Sequence, residues 1–129
     1  MTKTILLVED NELNLKLFHD VLEARGHRIL MSETGRDALK LARLHDVDIV
    51  LMDMKLPGIS GVELTERFKA QDDLRHIPVV ALTGAVMASD RRDFEAAGCD
   101  GFIEKPVKIM EFGETVEAYI DTGVQRLAS

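Results

Sequence analysis

Ile49-Val50-Leu51-Met52-Asp53-Met54-Lys55-Leu56-Pro57-Gly58 is the stretch that decides how this chain folds. It opens as an unbroken apolar run, closes on a carboxylate, and meets a Pro-Gly turn a few residues later. An apolar run of strand length without alternation marks a strand covered on both faces, as in a parallel sheet sandwiched by helices. The turn then holds Asp53 rigidly at a sheet edge with one side open to water. A second run, Ile5-Leu6-Leu7-Val8, ends the same way in Glu9-Asp10.

Outward from these two, apolar runs alternate with segments of helical period. Residues 4–9, 27–31, 48–53, 77–82 and 101–104 read as strands. Asn11 can cap a helix that ends near Gly26. Thr34 and Asp37 make a box-like start for a helix reaching about His45, and Ser60 with Glu63 forms a capping box for residues 62–70. A fourth helix runs from about Met87 to Ala97 and stops at Gly98. A fifth runs from Lys108 to about Asp121, with Ile109, Phe112, Val116 and Ile120 on one face. Five βα units in series predict a doubly wound α/β fold with a parallel sheet. The expected organisation is one domain over residues 1–129, with its core from about residue 3 to 121. Residues 123–129 read as a frayed tail, and no output domain is expected after the fifth helix.

Composition narrows the function. The chain has 129 residues, 46% of them hydrophobic, and a formal charge of -7. That charge argues against nucleic acid as the main partner, because nucleic-acid binders concentrate Lys and Arg against phosphates. No apolar run approaches the length of a membrane span and Met1-Thr2-Lys3-Thr4 shows no signal-peptide pattern, so the expected location is the cytoplasm, away from the membrane. Cys99 is the single cysteine, which excludes an intramolecular disulfide and a cysteine zinc site. It reads as a small buried side chain. The four histidines, His19, His27, His45 and His76, show no ligand spacing. His19 sits among Glu12, Lys16, Asp20 and Glu23, and reads as a solvated helix histidine.

In an open parallel sheet the functional crevice lies beyond the carboxyl ends of the strands. Here those ends carry Glu9 and Asp10, then Asp53, then Thr83, then Lys105. Each has an ordinary reading by itself: Asp10 as a cap or turn residue, Asp53 as the start of a turn, Thr83 as a turn residue, Lys105 as a solvated charge. Their joint occurrence at four strand ends is what points to a site. Close carboxylates raise one another's pKa and resist ionising together. A divalent cation relieves this, and oxygen donors without Cys or His suit Mg²⁺, with Mn²⁺ as the alternative. Lys105 and the Thr83 hydroxyl can hold oxygens of a phosphoryl group beside Asp53.

At this point the residues resemble a family. Val8-Glu9-Asp10-Asn11, Leu51-Met52-Asp53-Met54-Lys55-Leu56-Pro57-Gly58-Ile59-Ser60-Gly61, Val79-Val80-Ala81-Leu82-Thr83-Gly84 and Lys105-Pro106 together are similar to the receiver domain of bacterial two-component response regulators, over essentially the whole chain. The stretches 9–20 and 73–78 resemble its single-domain cell-division members. The resemblance implies a flavodoxin-like sheet in strand order 2-1-3-4-5. It implies that Asp53 accepts a phosphoryl group from a phosphohistidine on a sensor kinase or phosphotransfer protein. It further implies that Asp10, Asp53 and the backbone carbonyl of Lys55 bind Mg²⁺, with Glu9 acting through a water on the metal, while Thr83 and Lys105 hold phosphoryl oxygens. Thr83 and Phe102 take the switch positions, Lys105-Pro106 a cis peptide, and helix four, strand five and helix five the surface read by downstream targets. Cell-cycle or polarity control is implied by the same likeness. Self-catalysed dephosphorylation is implied too, with Lys55 placed to affect its rate. Gly84 departs from the alanine common at that position, and glycine loosens the loop after Thr83.

The first helix carries two apolar stripes where a surface helix needs one. Leu13, Leu17, Val21 and Ala24 are expected to face the sheet. Leu15, Phe18 and Leu22 form the second stripe, and Asn11, Asn14, Leu15 and Phe18 are the expected docking residues for the partner helices; the opposing reading packs Phe18 and Leu22 on helix five. Three other functions compete with the leading one. A phosphohydrolase with an aspartyl nucleophile resembles Asp-x-Asp, but position 55 is Lys. A flavin-binding protein needs a hydroxyl- and Gly-rich loop after the first strand, where Glu9-Asp10-Asn11 stands. A receiver working without phosphorylation has no need of the full set Glu9, Asp10, Asp53, Thr83 and Lys105.

Overall fold

The computed structural model describes residues 2–84 and 87–122. The expectation of a frayed tail at 123–129 lies outside the described residues. Strands β1 (Thr4–Val8), β2 (Arg28–Ser32), β3 (Ile49–Asp53), β4 (Val79–Thr83) and β5 (Gly101–Glu104) alternate with helices α1 (Glu12–Ala24), α2 (Ala38–Leu44), α3 (Gly61–Ala70), α4 (Ala88–Ala97) and α5 (Ile109–Thr122). All pairings are parallel, in the order β2-β1-β3-β4-β5. The doubly wound fold and the strand order are those expected.

Helices cover both faces of the sheet, which is why β1, β3 and β4 carry unbroken apolar runs ahead of their carboxyl ends. Leu6, Val8, Val50, Met52, Val79 and Ala81 face α2, α3 and α4, where Ala42, Leu64, Phe68 and Phe94 meet them. The alternate residues Ile5, Leu7, Ile49, Leu51, Val80 and Leu82 face α1 and α5. Strands β3 and β4 are buried along their whole length, Asp53 and Thr83 included.

Most boundaries agree with the sequence reading, and the departures have local causes. β4 begins at Val79 because Pro78 has no N–H to give a ladder, and Ile77 N–H instead closes the preceding turn on Leu74 O at 3.0 Å. α2 starts only at Ala38, since the Asp37 carboxylate accepts the Ser32 hydroxyl at 2.5 Å and caps nothing. Ser60 Oγ does accept from Glu63 N–H at 3.1 Å, but the Glu63 carboxylate lies toward Arg67. Asn11 caps α1, accepting from Asn14 N–H at 2.9 Å. Gly98 ends α4 with φ +112°, the left-handed conformation that glycine supplies cheaply.

One expectation is overturned. Leu15, Phe18 and Leu22 are the buried stripe of α1, at 6%, 2% and 0% exposure, while Leu13 and Leu17 stand at 75% and 41%. Both stripes satisfy the helical period, so periodicity does not choose between them. Packing does: Phe18 meets Phe112 of α5 with ring centroids 4.9 Å apart, burying the largest apolar side chain of the helix. Leu15 and Phe18 are therefore core residues, and the expectation that they dock a partner does not hold. The large apolar side chains that α1 leaves exposed are Leu13 and Leu17.

The opposite end of the sheet is tied by charge. Arg25 reaches across α5 at Gly113, where an added Cβ would come within 2.2 Å of its side chain. It forms two hydrogen bonds to Glu117, and buried His27 meets the same carboxylate at 2.7 Å. Arg25 first and His27 second hold the Glu117 carboxyl well below its usual range, at about 2.

The rotation of α1 sets a testable contrast. Phe18→Ala is expected to cost about 3–5 kcal/mol through lost burial and the cavity left behind, and Leu13→Ala no more than about 0.5 kcal/mol. Urea titration of the two variants measures both, and equal losses would place α1 in the wrong rotation.

Candidate functional site

The strand register builds the site. Val8 pairs with Met52 and Asp53 with Leu82, so the residues just beyond β1 and β3 lie side by side at the carboxyl edge. β1 ends at Val8, which puts Glu9 and Asp10 in the loop and Glu9 at 0% exposure. Glu9, Asp10 and Asp53 each offer a carboxylate oxygen within 4.8 Å of the others. Lys105, following β5, reaches across to donate to Glu9 Oε1 at 2.7 Å and stands 3.6 Å from Asp53 Oδ2. Asn11 N–H donates to Glu9 Oε2 at 3.2 Å, and the Asn14 side-chain amide to Oε1 at 3.4 Å.

The turn after Asp53 folds back on it. Lys55 N–H donates to Asp53 Oδ1 at 2.9 Å, while the Lys55 side chain is exposed. Gly58 has φ +88°, which the turn requires. Gly61 lets the first turn of α3 press on the backbone of the site: an added Cβ would lie 2.5 Å from Met54 Cα and 2.8 Å from Asp53 O. Thr83 is buried at the next strand end, and its carbonyl accepts from Lys105 N–H at 2.8 Å. The Lys105-Pro106 peptide is cis, as expected.

Asp53 has its pKa raised above the ordinary carboxylate value. Burial is the largest cause and the adjacent Glu9 carboxyl the second; the Lys55 N–H and the Lys105 charge pull the other way. Three carboxylates against one ammonium leave a formal excess of two negative charges at this edge, with Glu9 and Asp53 buried. A divalent cation fits this set: the donors are all oxygen and the charge is the one it cancels.

Phe102 lies on β5 in register with Ala81, half-buried. Its ring meets Phe94 at 6.1 Å, and the Arg91 guanidinium lies 5.4 Å from the ring centre while pairing with Glu104 at 3.7 Å. The Tyr119 hydroxyl accepts from Phe102 N–H at 3.4 Å and donates to Phe102 O at 3.3 Å, its ring crossing Gly101 where a Cβ would collide. Cys99 is buried beside Thr65, and burial pushes its thiol up to about 11, so it is no nucleophile.

Residues 5–117 match the response regulator receiver domain. The chain belongs to that family. It is 45% identical over 120 residues to the polar-differentiation response regulator DivK of Brucella ovis, covering 93% of this chain and 98% of that protein. The DivK of Brucella anthropi is equally close, at 45% over 120 residues. Among solved structures, the receiver domain of a Pseudomonas aeruginosa sensor histidine kinase, which has a magnesium ion coordinated in its active-site cleft, is 31% identical with a TM-score of 0.84 and covers 94% of this chain and 99% of its own. A response regulator from Chloroflexus aurantiacus, at 24% identity and TM-score 0.86, shares the fold, covering 94% of this chain and 99% of its own.

Within this receiver domain the structure brings Glu9, Asp10, Asp53 and Lys105 together, sets Thr83 beside them, and folds Lys55 back onto Asp53. Gly61, Arg91 and Tyr119 are functional positions that the sequence alone does not single out. Gly61 left a signal, a second glycine opening a helix straight after its Ser60 cap, where the turn needs only Gly58. Arg91 and Tyr119 left none, because their contacts come from distant parts of the chain.

The raised pKa of Asp53 has a sign. The folded state favours the protonated acid more than the unfolded chain does, so ionisation subtracts from stability; the penalty is absent at low pH and appears as pH rises through the raised value. With a chelator present, Asp53→Asn is expected to melt above the parent at neutral pH, by a margin that narrows on acidification. A lower midpoint for the variant at every pH would contradict the charge account.

Proposed function

We propose that Asp53 is the phosphoacceptor of this receiver domain, taking its phosphoryl group from a phosphohistidine on a sensor histidine kinase or a histidine phosphotransfer protein. The observation that supports this most directly is the convergence of Glu9, Asp10 and Asp53 within 4.8 Å, with Lys105 among them. An Asp53 carboxylate oxygen attacks phosphorus. The P–N bond to the donor imidazole breaks as the P–O bond forms, and the nitrogen leaves with the electron pair. Lys105 and Thr83 take phosphoryl oxygens, giving charge and a hydrogen bond where negative charge gathers. Glu9, Asp10, Asp53 and the Lys55 carbonyl would hold Mg²⁺, or Mn²⁺ in its place. The metal would neutralise the carboxylates and the phosphoryl oxygens. The same residues support self-catalysed hydrolysis of the acyl phosphate, with the exposed Lys55 ammonium beside the path of the attacking water.

Phosphorylation takes the charge at Asp53 from about -1 to about -2. The added charge draws Thr83 inward, and the Phe102 ring on the adjacent strand follows into the space behind it. Arg91 and Phe94 of α4 and Tyr119 of α5 all touch Phe102, so its movement is passed to the α4-β5-α5 surface. Downstream proteins read that surface. Of the docking residues proposed for the phosphodonor, Asn11 and Asn14 are kept, and Leu13 and Leu17 replace the buried pair. The likeness to DivK supports a role in cell-cycle or polarity control, in the cytoplasm. Among the described residues no helix is long and apolar enough to cross a membrane.

Incubation with Mg²⁺ and acetyl phosphate is expected to add one phosphoryl group by intact mass, acid-stable and base-labile, and absent in Asp53→Asn. No Asp53-dependent adduct would refute the reading. Leu17→Asp is expected to slow transfer from a phosphohistidine donor about tenfold or more, as loss of a central docking contact does, while leaving the acetyl phosphate reaction unchanged. An equal loss in both reactions would place Leu17 in the fold and not in the interface.

A further inference from the structure

We infer that Asn14 is a positioning residue for Glu9, holding its carboxylate in place when Lys105 leaves it for the phosphoryl group. The inference rests on the receiver reading of Asp53. In the resting arrangement Lys105 Nζ and the Asn14 amide share one acceptor, Glu9 Oε1, at 2.7 and 3.4 Å. The lysine has the short bond and the amide the long one. Phosphotransfer requires the lysine elsewhere, since its ammonium must reach an oxygen on the Asp53 side, from which it now stands 3.6 Å.

Glu9 cannot be left alone at that moment. Its side chain is fully buried, and a buried carboxylate without partners is strongly destabilised. Asn11 N–H holds Oε2 only. Among the described residues the side chain that stays on Oε1 is the Asn14 amide, beside the water of a bound metal, and its long bond has room to shorten once the ammonium withdraws. Catalytic hydrogen bonds are often long before the reacting complex forms. Asn14 is itself fixed for the task, because its own N–H is tied to Asn11 Oδ1 at 2.9 Å in the helix cap. An amide is also the right chemistry. A cation there would compete for Glu9 with the metal, and a carboxylate would add a fourth negative charge to the cleft.

The sharing of one oxygen makes the two donors interdependent. Removing Asn14 matters little while Lys105 holds Glu9 and much when it does not. The test is a cycle of four proteins: the parent, Asn14→Ala, Lys105→Met and the double variant. Alanine keeps the backbone bond to Asn11 and has the higher helix propensity, so α1 is not weakened by the change. Calorimetry on chelator-stripped protein measures the Mg²⁺ dissociation constant, and the side-chain amide protons of Asn14 are followed by NMR with acetyl phosphate added.

The expected result is a modest weakening of Mg²⁺ binding by Asn14→Ala in the parent and a larger one, about tenfold as for outer-sphere partners of metal ligands, in the Lys105→Met background. On phosphorylation the Asn14 amide signals move downfield as the bond to Glu9 shortens. The same factor in both backgrounds, or amide signals that do not move, would overturn the inference. If the parent takes phosphate on Asp53 and binds Mg²⁺ while Asn14→Ala matches it in both backgrounds, the positioning role falls alone. If the parent takes no phosphate on Asp53, the receiver reading falls first.

Discussion

The bond from Lys105 to Glu9 is the constraint on which the rest of the site depends. It joins a residue after β5 to one after β1, across the ends of β3 and β4, and so spans most of the carboxyl edge. Apolar packing fixes the strands but leaves that edge a row of loops. A buried carboxylate there needs a cation, and the cation has to come from the far side of the sheet. The requirement draws the β5–α5 loop over Asp53 and puts an ammonium beside the residue proposed to gain negative charge.

The arrangement is stable because the rest of the domain over-determines it. Helices pack on both faces of the sheet, and the far end is bound by Arg25, His27 and Glu117. Against that support the cleft can hold more negative charge than it compensates. A group held in this way responds strongly to small changes, because low dielectric amplifies each added or cancelled charge. The response has a short path outward. Lys105 N–H is bonded to the Thr83 carbonyl, and Thr83 is in register with Glu104, which pairs with the Arg91 that covers Phe102.

What the sequence could and could not reveal follows from the range of each interaction. The strands at Ile5–Val8 and Ile49–Asp53 were legible because burial on both faces leaves an unbroken apolar run. The carboxylates were legible because a parallel sheet sends every strand's carboxyl end to one edge, so position along the chain gave position in space. The rotation of α1 was not, since Leu13/Leu17 and Leu15/Phe18/Leu22 fit the period equally well and the choice rests on Phe112, almost a hundred residues away. The box-like start expected from Thr34 and Asp37 does not form for a similar reason: the Asp37 carboxylate goes to Ser32 on β2. The close approach of Gly61 to Asp53 and the covering of Phe102 by Arg91 and Tyr119 are tertiary contacts that no local spacing encodes.

The rotation of α1 also joins two roles in one helix. With Leu15, Phe18 and Leu22 turned to the sheet, Asn14 lies at the boundary between the buried face and the exposed Leu13 and Leu17. In an α-helix successive side chains are about 100° apart, so Leu13 and Leu15 flank Asn14 on opposite sides. A partner helix seated on Leu13 and Leu17 would therefore exclude water from the side chain that touches Glu9. Hydrogen bonds strengthen as water is removed. Docking of the phosphodonor would tighten the hold on Glu9 at the step when Lys105 is needed at the phosphoryl group. A small-molecule donor would not supply that tightening, so on the proposed function a docked histidine donor would gain rate beyond its own chemistry.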